Sequence, residues 1–318
     1  MNRYQPKDFI ETQEGLIFAV VAEGLEDRRI LCSLRYLRTA TGFEKFTTQQ
    51  ANALLARQYP QYLYYSTVRD VELHGVDCDA VVYHHCPRQR LQDLCNQRPD
   101  DPIENKLRQL IGLFEANGLE RDQIGVTGSL LIGAQKSSSD IDLVFYQPSQ
   151  FHKARTLIKA LLAKKLLQPL DETLWLDAYQ RRNCDLSYDE YRWHEQRKYN
   201  KAAIAQTKFD ISLLTPDRWQ DLMRYRKQGR VYLKTTIDND RHSFDYPARY
   251  RLNHPSVNEV ISYTATYAGQ AVNGEQVEIQ GQLEVSIAGH LRIVVGTDRE
   301  ATHEYIKAIP EASRIRFR

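Results

Sequence analysis

The spacing of apolar positions changes several times along this chain, and each change marks an element. Residues 16–21 and 29–36 are rich in β-branched, aromatic and aliphatic side chains (Ile17, Phe18, Val20; Ile30, Leu34, Tyr36) and flank the turn Gly24-Leu25-Glu26-Asp27. That pattern predicts an antiparallel strand pair. Thr47 or Thr48 can cap a helix whose Ala51, Leu54 and Leu55 share a face. Pro102 opens a second helix, with Ile103, Leu107, Leu110, Ile111 and Phe114 at helical spacing until Gly118. Two short strands follow, at 124–127 and 141–146, and then a helix over 150–166 with Ala154, Leu157, Ile158, Leu161 and Leu162 on one side. A largely helical insert at about 172–205 leads to a strand around 208–214. Beyond about 231, strand-like runs at 260–267, 276–285 and 291–295 are separated by Asn273-Gly274 and Gly289, which predicts a small antiparallel sheet or barrel, OB-like in organisation. The fold class expected is α+β, in three modules: 1–98, 99–215 and a β-rich 231–318.

One stretch carries chemistry. Gly128-Ser129 is followed, after a short spacer, by Ser139-Asp140-Ile141-Asp142-Leu143-Val144-Phe145. On a strand Asp140 and Asp142 project from one face, while Ile141, Leu143 and Phe145 fill the other. Adjacent carboxylates repel, and a divalent cation between them removes the penalty. A Gly-rich turn opening a helix offers backbone N–H groups to an anion. An Asp-x-Asp pair alone is usually a solvated strand end, and a lone Gly-Ser says little. The two joined by this spacer, with strand signals on both sides, point to phosphate and Mg²⁺.

Composition narrows the setting. The chain has 318 residues, 42% of them hydrophobic and 26% charged, which is ordinary for a globular protein of two or three domains. Lys and Arg number 43 against 41 Asp and Glu, and a net charge of +2 does not announce a nucleic-acid binder. No apolar run approaches the ~20 residues of a membrane helix, and Met1-Asn2-Arg3-Tyr4-Gln5-Pro6 lacks the apolar core of a signal peptide. A cytoplasmic protein with no membrane partner is expected. Five cysteines without Cys-x-x-Cys spacing suit reduced thiols. Cys78, His84, His85 and Cys86 match no standard zinc spacing.

Residues 125–146 resemble the signature of the polymerase-beta-like nucleotidyltransferase superfamily: Gly-Ser, spacer, Asp-x-Asp. The order helix, strand, helix start, strand, helix is the one that resemblance implies for the catalytic core. It also implies a third carboxylate on a later strand. Asp210, within Lys208-Phe209-Asp210-Ile211-Ser212-Leu213, is the best candidate; Asp185 and Asp189 sit in more polar surroundings. The whole chain is similar to an uncharacterised, mainly archaeal family of predicted nucleotidyltransferases, through residues 15–21, the 128–142 motif, Trp193-His194-Glu195 with Arg197-Lys198, and Tyr267-Ala268-Gly269-Gln270.

The function expected is Mg²⁺-dependent transfer of a nucleoside monophosphate from an NTP to an acceptor hydroxyl, with RNA ahead of protein as acceptor. Asp140, Asp142 and Asp210 would hold two cations. Gly128, Ser129 and Ser139 would line the nucleotide. Read as a helix, residues 191–201 place His194, Arg197, Lys198 and Lys201 on one face; Arg197 or Lys198 is expected to approach the triphosphate, and His194 to orient a group or act as a base. Tyr246, Tyr250, Tyr263 and Tyr267, with Arg249, Arg251 and Arg292, form a candidate surface for bases and phosphates. The alternative is a catalytically silent nucleotide- or RNA-binding protein.

Overall fold

The structure, a computed structural model, describes residues 4–99, 101–215, 223–297 and 303–310. The chain forms two units. One comprises Met1–Ser66, Glu72–Leu170 and Tyr199–Gln220; the other comprises Thr67–Val71, Asp171–Lys198 and Asp221–Arg318. Mixed α and β elements are present throughout, in several sheets. The boundaries expected at 98 and 215 lie elsewhere. The first two modules share one unit, and the helical insert leaves it for the other, because hydrophobic spacing identifies a helix but not the surface it packs on.

The first unit opens with seven strands: β1 (Phe9–Thr12), β2 (Leu16–Val20), β3 (Arg29–Thr39), β4 (Gly42–Lys45), β5 (Leu63–Ser66), β6 (Val71–Asp77) and β7 (Val81–His85). They form a sheet in the order β5-β6-β3-β2-β1-β7, with β4 paired to β3. Helix α1 (Thr48–Gln58) starts in a capping box between Thr47 and Gln50 and buries Ala51 and Leu55 in the cluster of Ile10, Phe18 and Leu34. The expected pairing of residues 16–21 with 29–36 is β2 on β3.

The second sheet of this unit consists of β8 (Ile124–Thr127), β9 (Ile141–Phe145), β10 (Lys201–Ile204) and β11 (Thr207–Leu213), in the order β10-β11-β9-β8. Its helices are α2 (Pro87–Asn96), α3 (Pro102–Ala116), the single turn α4 (Ser129–Ile132) and α5 (Pro148–Ala163). Asp101 caps α3, accepting from the N–H groups of Ile103 and Glu104, and the five apolar positions read from the sequence are its buried face. The rings of Phe114, Phe145, Phe151 and Phe209 meet at centroid distances of 6.2 to 6.3 Å, tying α3 and α5 to β9 and β11. This aromatic cluster fixes the two strands that carry the aspartates.

In the second unit, α6 (Glu172–Arg182) and α7 (Tyr188–Lys198) accompany β12 (Tyr225–His242), β13 (Ala248–Leu252), β14 (Val257–Ser262), β15 (Gln276–Ser286), β16 (Leu291–Val295) and β17 (Tyr305–Ala308). The strand order is β12-β13-β14-β16-β15-β17, and β12 also pairs with β15. The pairings therefore close a ring of five strands. Only β14 and β16 run parallel within it. Residues up to Thr236 of β12 pair with β15, and those from Ile237 pair with β13. β12, β13 and β17 were not read from the sequence; in β12 the Arg, Lys, Gln and Thr residues mask the alternation. Residues 265–267, expected as strand, form one 3₁₀ turn instead.

Two of the four tyrosines proposed for base stacking are buried. Tyr250 Oη donates to the Tyr267 carbonyl and accepts from Gln270 N–H, while Tyr267 Oη donates to the Glu304 carbonyl. Their rings fill the interior, so the expected stacking surface does not form from them. Arg292 is buried against Glu284 at 2.9 Å, and Arg249 pairs with Glu259. Of the three arginines, Arg251 remains exposed. Among the described residues, no helix is long and apolar enough to cross a membrane.

Candidate active site

β9 and β11 run in parallel with Asp210 directly opposite Asp142, and antiparallel β8 brings Thr127 to the other side of Asp142. Asp140 immediately precedes β9, two residues ahead of Asp142, where alternation carries it toward the same face. All three carboxylates are half-buried. Burial pushes the Asp142 pKa up, Asp210 and Asp140 push it further, and Lys208 and Lys7 oppose them.

The cations here were mostly not foreseen. Lys208, two residues before Asp210 on β11, places Nζ 2.9 Å from Asp140 Oδ2 and 4.0 Å from Asp210 Oδ2. Its position was legible, because alternation puts residues 208 and 210 on one face. Lys201 is not on the basic helix, which ends at Lys198. It opens β10 in register with Asp210, with Nζ 3.8 Å from Asp210 Oδ1. The reason is a two-residue hairpin at Ala205-Gln206, both with positive φ (45° and 65°), made without the usual Asn or Gly. The N-terminal sheet contributes as well. The Lys7 carbonyl accepts from Thr127 Oγ1 at 2.9 Å, and Asp142 adds to the upward push that burial gives the Tyr36 hydroxyl.

Gly128 has φ 67° and ψ −144°, and a Cβ there would run into Asp142 Oδ2. Its first task is to make room for that carboxylate. The α4 turn it opens is only four residues long, too short to act as the anion-binding helix expected. Ser129 begins that turn, its carbonyl accepting from Ala134 N–H. Ser139 Oγ accepts from Lys136 N–H and shapes the turn that delivers Asp140.

Other expected residues lie in the second unit. Lys198 is buried, with Nζ 2.5 Å from Glu195 Oε1 and 2.6 Å from the Thr266 carbonyl. Arg197 pairs with Glu275 and lies over the Trp193 ring, 4.5 Å from its centroid. Both charges are met by neighbours within their own unit, which corrects the expectation that they meet a triphosphate. His194 donates from Nδ1 to the Glu190 carbonyl and accepts at Nε2 from Ala308 N–H. Burial lowers its pKa to about 4, so it is a neutral strut and not a base. Asp189 starts α7, and Asp185 faces His303 at 3.5 Å.

The three aspartates are hard oxygen donors of the kind Mg²⁺ takes. Asp210 Oδ1 lies 3.8 Å from Lys201 Nζ, and the missing side chain of Gly128 is what admits the Asp142 carboxylate beside the turn. The residues fit such an ion in kind and register. As they stand, Asp140 and Asp210 face the Lys208 ammonium at 2.9 and 4.0 Å, and among the described residues no group of three or more His, Cys, Asp or Glu is drawn together tightly enough to hold a metal.

No protein-family model and no solved structure matches the chain. It is 34% identical to MJ1086, an uncharacterised protein of Methanocaldococcus jannaschii, over 95% of this chain and 98% of that protein. The chain belongs to the MJ1086 family. Gly128→Ala is expected to displace the Asp142 carboxylate and strain the turn, destabilising the first unit by about 1–3 kcal/mol, the usual cost of overpacking. Urea unfolding would check it; unchanged stability would show that the site accommodates the added methyl group.

Proposed function

We propose that this protein is a Mg²⁺-dependent nucleotidyltransferase that moves a nucleoside monophosphate from an NTP to an acceptor hydroxyl. The observation that carries the reading is the register of Asp142 against Asp210 on adjacent parallel strands, with Asp140 on the same face. Asp140, Asp142 and Asp210 would hold the ions. When bound there, Mg²⁺ supplies charge that polarises the phosphoryl oxygens and makes the acceptor hydroxyl easier to deprotonate. The protein's own part is positional. The Phe cluster and Gly128 fix where the carboxylates stand, and Lys208 and Lys201 bring ammonium charge to offset the phosphates.

RNA as acceptor is supported by the second unit. Its five-stranded ring with a single parallel pair follows an OB-like order, a fold that serves oligonucleotide binding. Arg226, Arg230, Tyr232 and Lys234 occupy exposed positions along β12. A second reading, a nucleotide- or RNA-binding protein without catalysis, draws on the Lys208 ammonium seated against Asp140.

The deciding experiment incubates the full chain with Mg²⁺, each labelled NTP in turn, and total cellular RNA or protein. Label should pass to a macromolecule and pyrophosphate should appear. NTP binding with no transfer from any nucleotide would favour the second reading, and the absence of both would remove the proposal.

A further inference from the structure

An open cleft of about 680 Å³ in the first unit is lined by Glu11, Arg38, His84, Cys86, Arg90 and Asp93 among others. Cys86 stands at the N-cap position of α2, a ten-residue helix that opens with Pro87. Its Sγ lies 3.6 Å from His84 Nδ1 and 3.7 Å from Nε2, and His84 Nε2 donates to Asp8 Oδ2 at 2.8 Å. Asp8 is buried, and its Oδ2 also accepts from Gln5 N–H at 3.0 Å. A thiol, an imidazole and a buried carboxylate in this order form a nucleophile, its proton partner and the group that orients the partner. Nothing in the proposed nucleotidyl transfer uses them.

We propose that Cys86, with His84 and Asp8, is a nucleophilic thiol centre that forms a mixed disulfide with a low-molecular-weight disulfide bearing both carboxylate and ammonium groups. Cys86 Sγ attacks one sulfur of that disulfide. The new S–S bond forms as the old one breaks, and the departing thiolate takes the proton of the His84 imidazolium. One mixed disulfide and one free thiol result, and the incoming disulfide is the oxidant. The cleft suits such a molecule because it has the volume of a small-ligand site and carries charges of both signs on its wall: Arg90, Asp93 and the ion pair of Arg38 with Glu11 at 2.5 Å.

The surroundings favour a charged imidazole. Burial pulls the His84 pKa down, but its hydrogen bonds with Asp8 and Cys86 outweigh that and raise it to about 9. The other groups facing this cluster are Tyr4, whose ring is 4.8 Å from that of His84, His85, which bonds Glu11 at 3.1 Å, and Tyr146 with Arg88 over its ring at 3.9 Å. A protonated imidazole beside the thiol can hand its proton to the departing sulfur.

The test treats the full chain with L-cystine at pH 7 and follows cysteinylation of each cysteine peptide by mass spectrometry. Cys86 is expected to react about ten-fold faster than Cys78, Cys95 or Cys184, and His84→Gln to remove most of that advantage. The same measurement on the wild-type chain unfolded in denaturant serves as the control that needs no variant, since there all five cysteines should react alike. A native Cys86 no faster than in the unfolded chain would overturn the proposal, as would full reactivity in a folded His84→Gln. Neither outcome depends on whether the protein transfers nucleotides.

Discussion

Asp142→Asn is expected to lower nucleotide transfer by about a thousand-fold while raising the melting temperature at pH 7. The activity loss follows from removing the central ligand, because several kcal/mol of charge stabilisation at the phosphoryl group corresponds to about three decades in rate. The stability gain has a separate origin. Burial, then Asp210 and Asp140, raise the Asp142 pKa in the folded chain. The folded state therefore holds this proton more tightly than the unfolded state. Across the interval above the ordinary carboxylate value the unfolded chain binds fewer protons, and stability falls as pH rises through it. At neutral pH the wild type bears that penalty and the asparagine does not. The stabilisation should shrink as the pH is lowered toward ordinary carboxylate values, and Mg²⁺ should raise the wild-type melting temperature more than that of the variant. A variant with wild-type turnover would dispose of the mechanism. One that melts lower than the wild type at pH 7 would show that carboxylate repulsion is not what burdens the folded chain.

Lys198→Met should destabilise the second unit by about 3–5 kcal/mol, the usual cost of breaking a buried ion pair from one side. The substitution strands Glu195 in the interior and takes the 2.6 Å hydrogen bond from the Thr266 carbonyl. The double variant Lys198→Met with Glu195→Leu should recover most of the loss, since well-packed apolar residues often replace a buried pair at little cost. Urea unfolding of the single and double variants measures both effects. NTP binding by the folded double variant should match the wild type; a sharp loss of affinity there would return Lys198 to the nucleotide site.

How much of this was legible depended on whether the signal was local. The Gly128–Asp142 run, the capped α3 helix with its five apolar positions and the strand around Asp210 could be read because each is specified by neighbours in sequence. That Asp210 sits opposite Asp142 is a long-range fact, and what pointed toward it was the third carboxylate implied by the superfamily resemblance. Lys201 was misplaced because Ala205-Gln206 makes a hairpin without the residues that usually announce one. Lys7 and Tyr36 carried no motif and enter the site through the packing of the N-terminal sheet. The density of charge at 192–201 read as a ligand-facing surface. Three of its members instead hold a helix in place, which composition alone cannot distinguish.

The seating of α7 sets an order of events during synthesis. His194 on α7 accepts from the backbone of Ala308, and Glu190 pairs with Lys307, both on β17, the last described strand. A growing chain therefore produces α7 well before the strand that satisfies it. Until β17 leaves the ribosome, the helix presents His194 Nε2 and the Glu190 carboxylate to solvent or to whatever chaperone holds the nascent chain. Protein from a message cut short before β17 would keep that helix permanently unfinished, a ready mark for proteolysis.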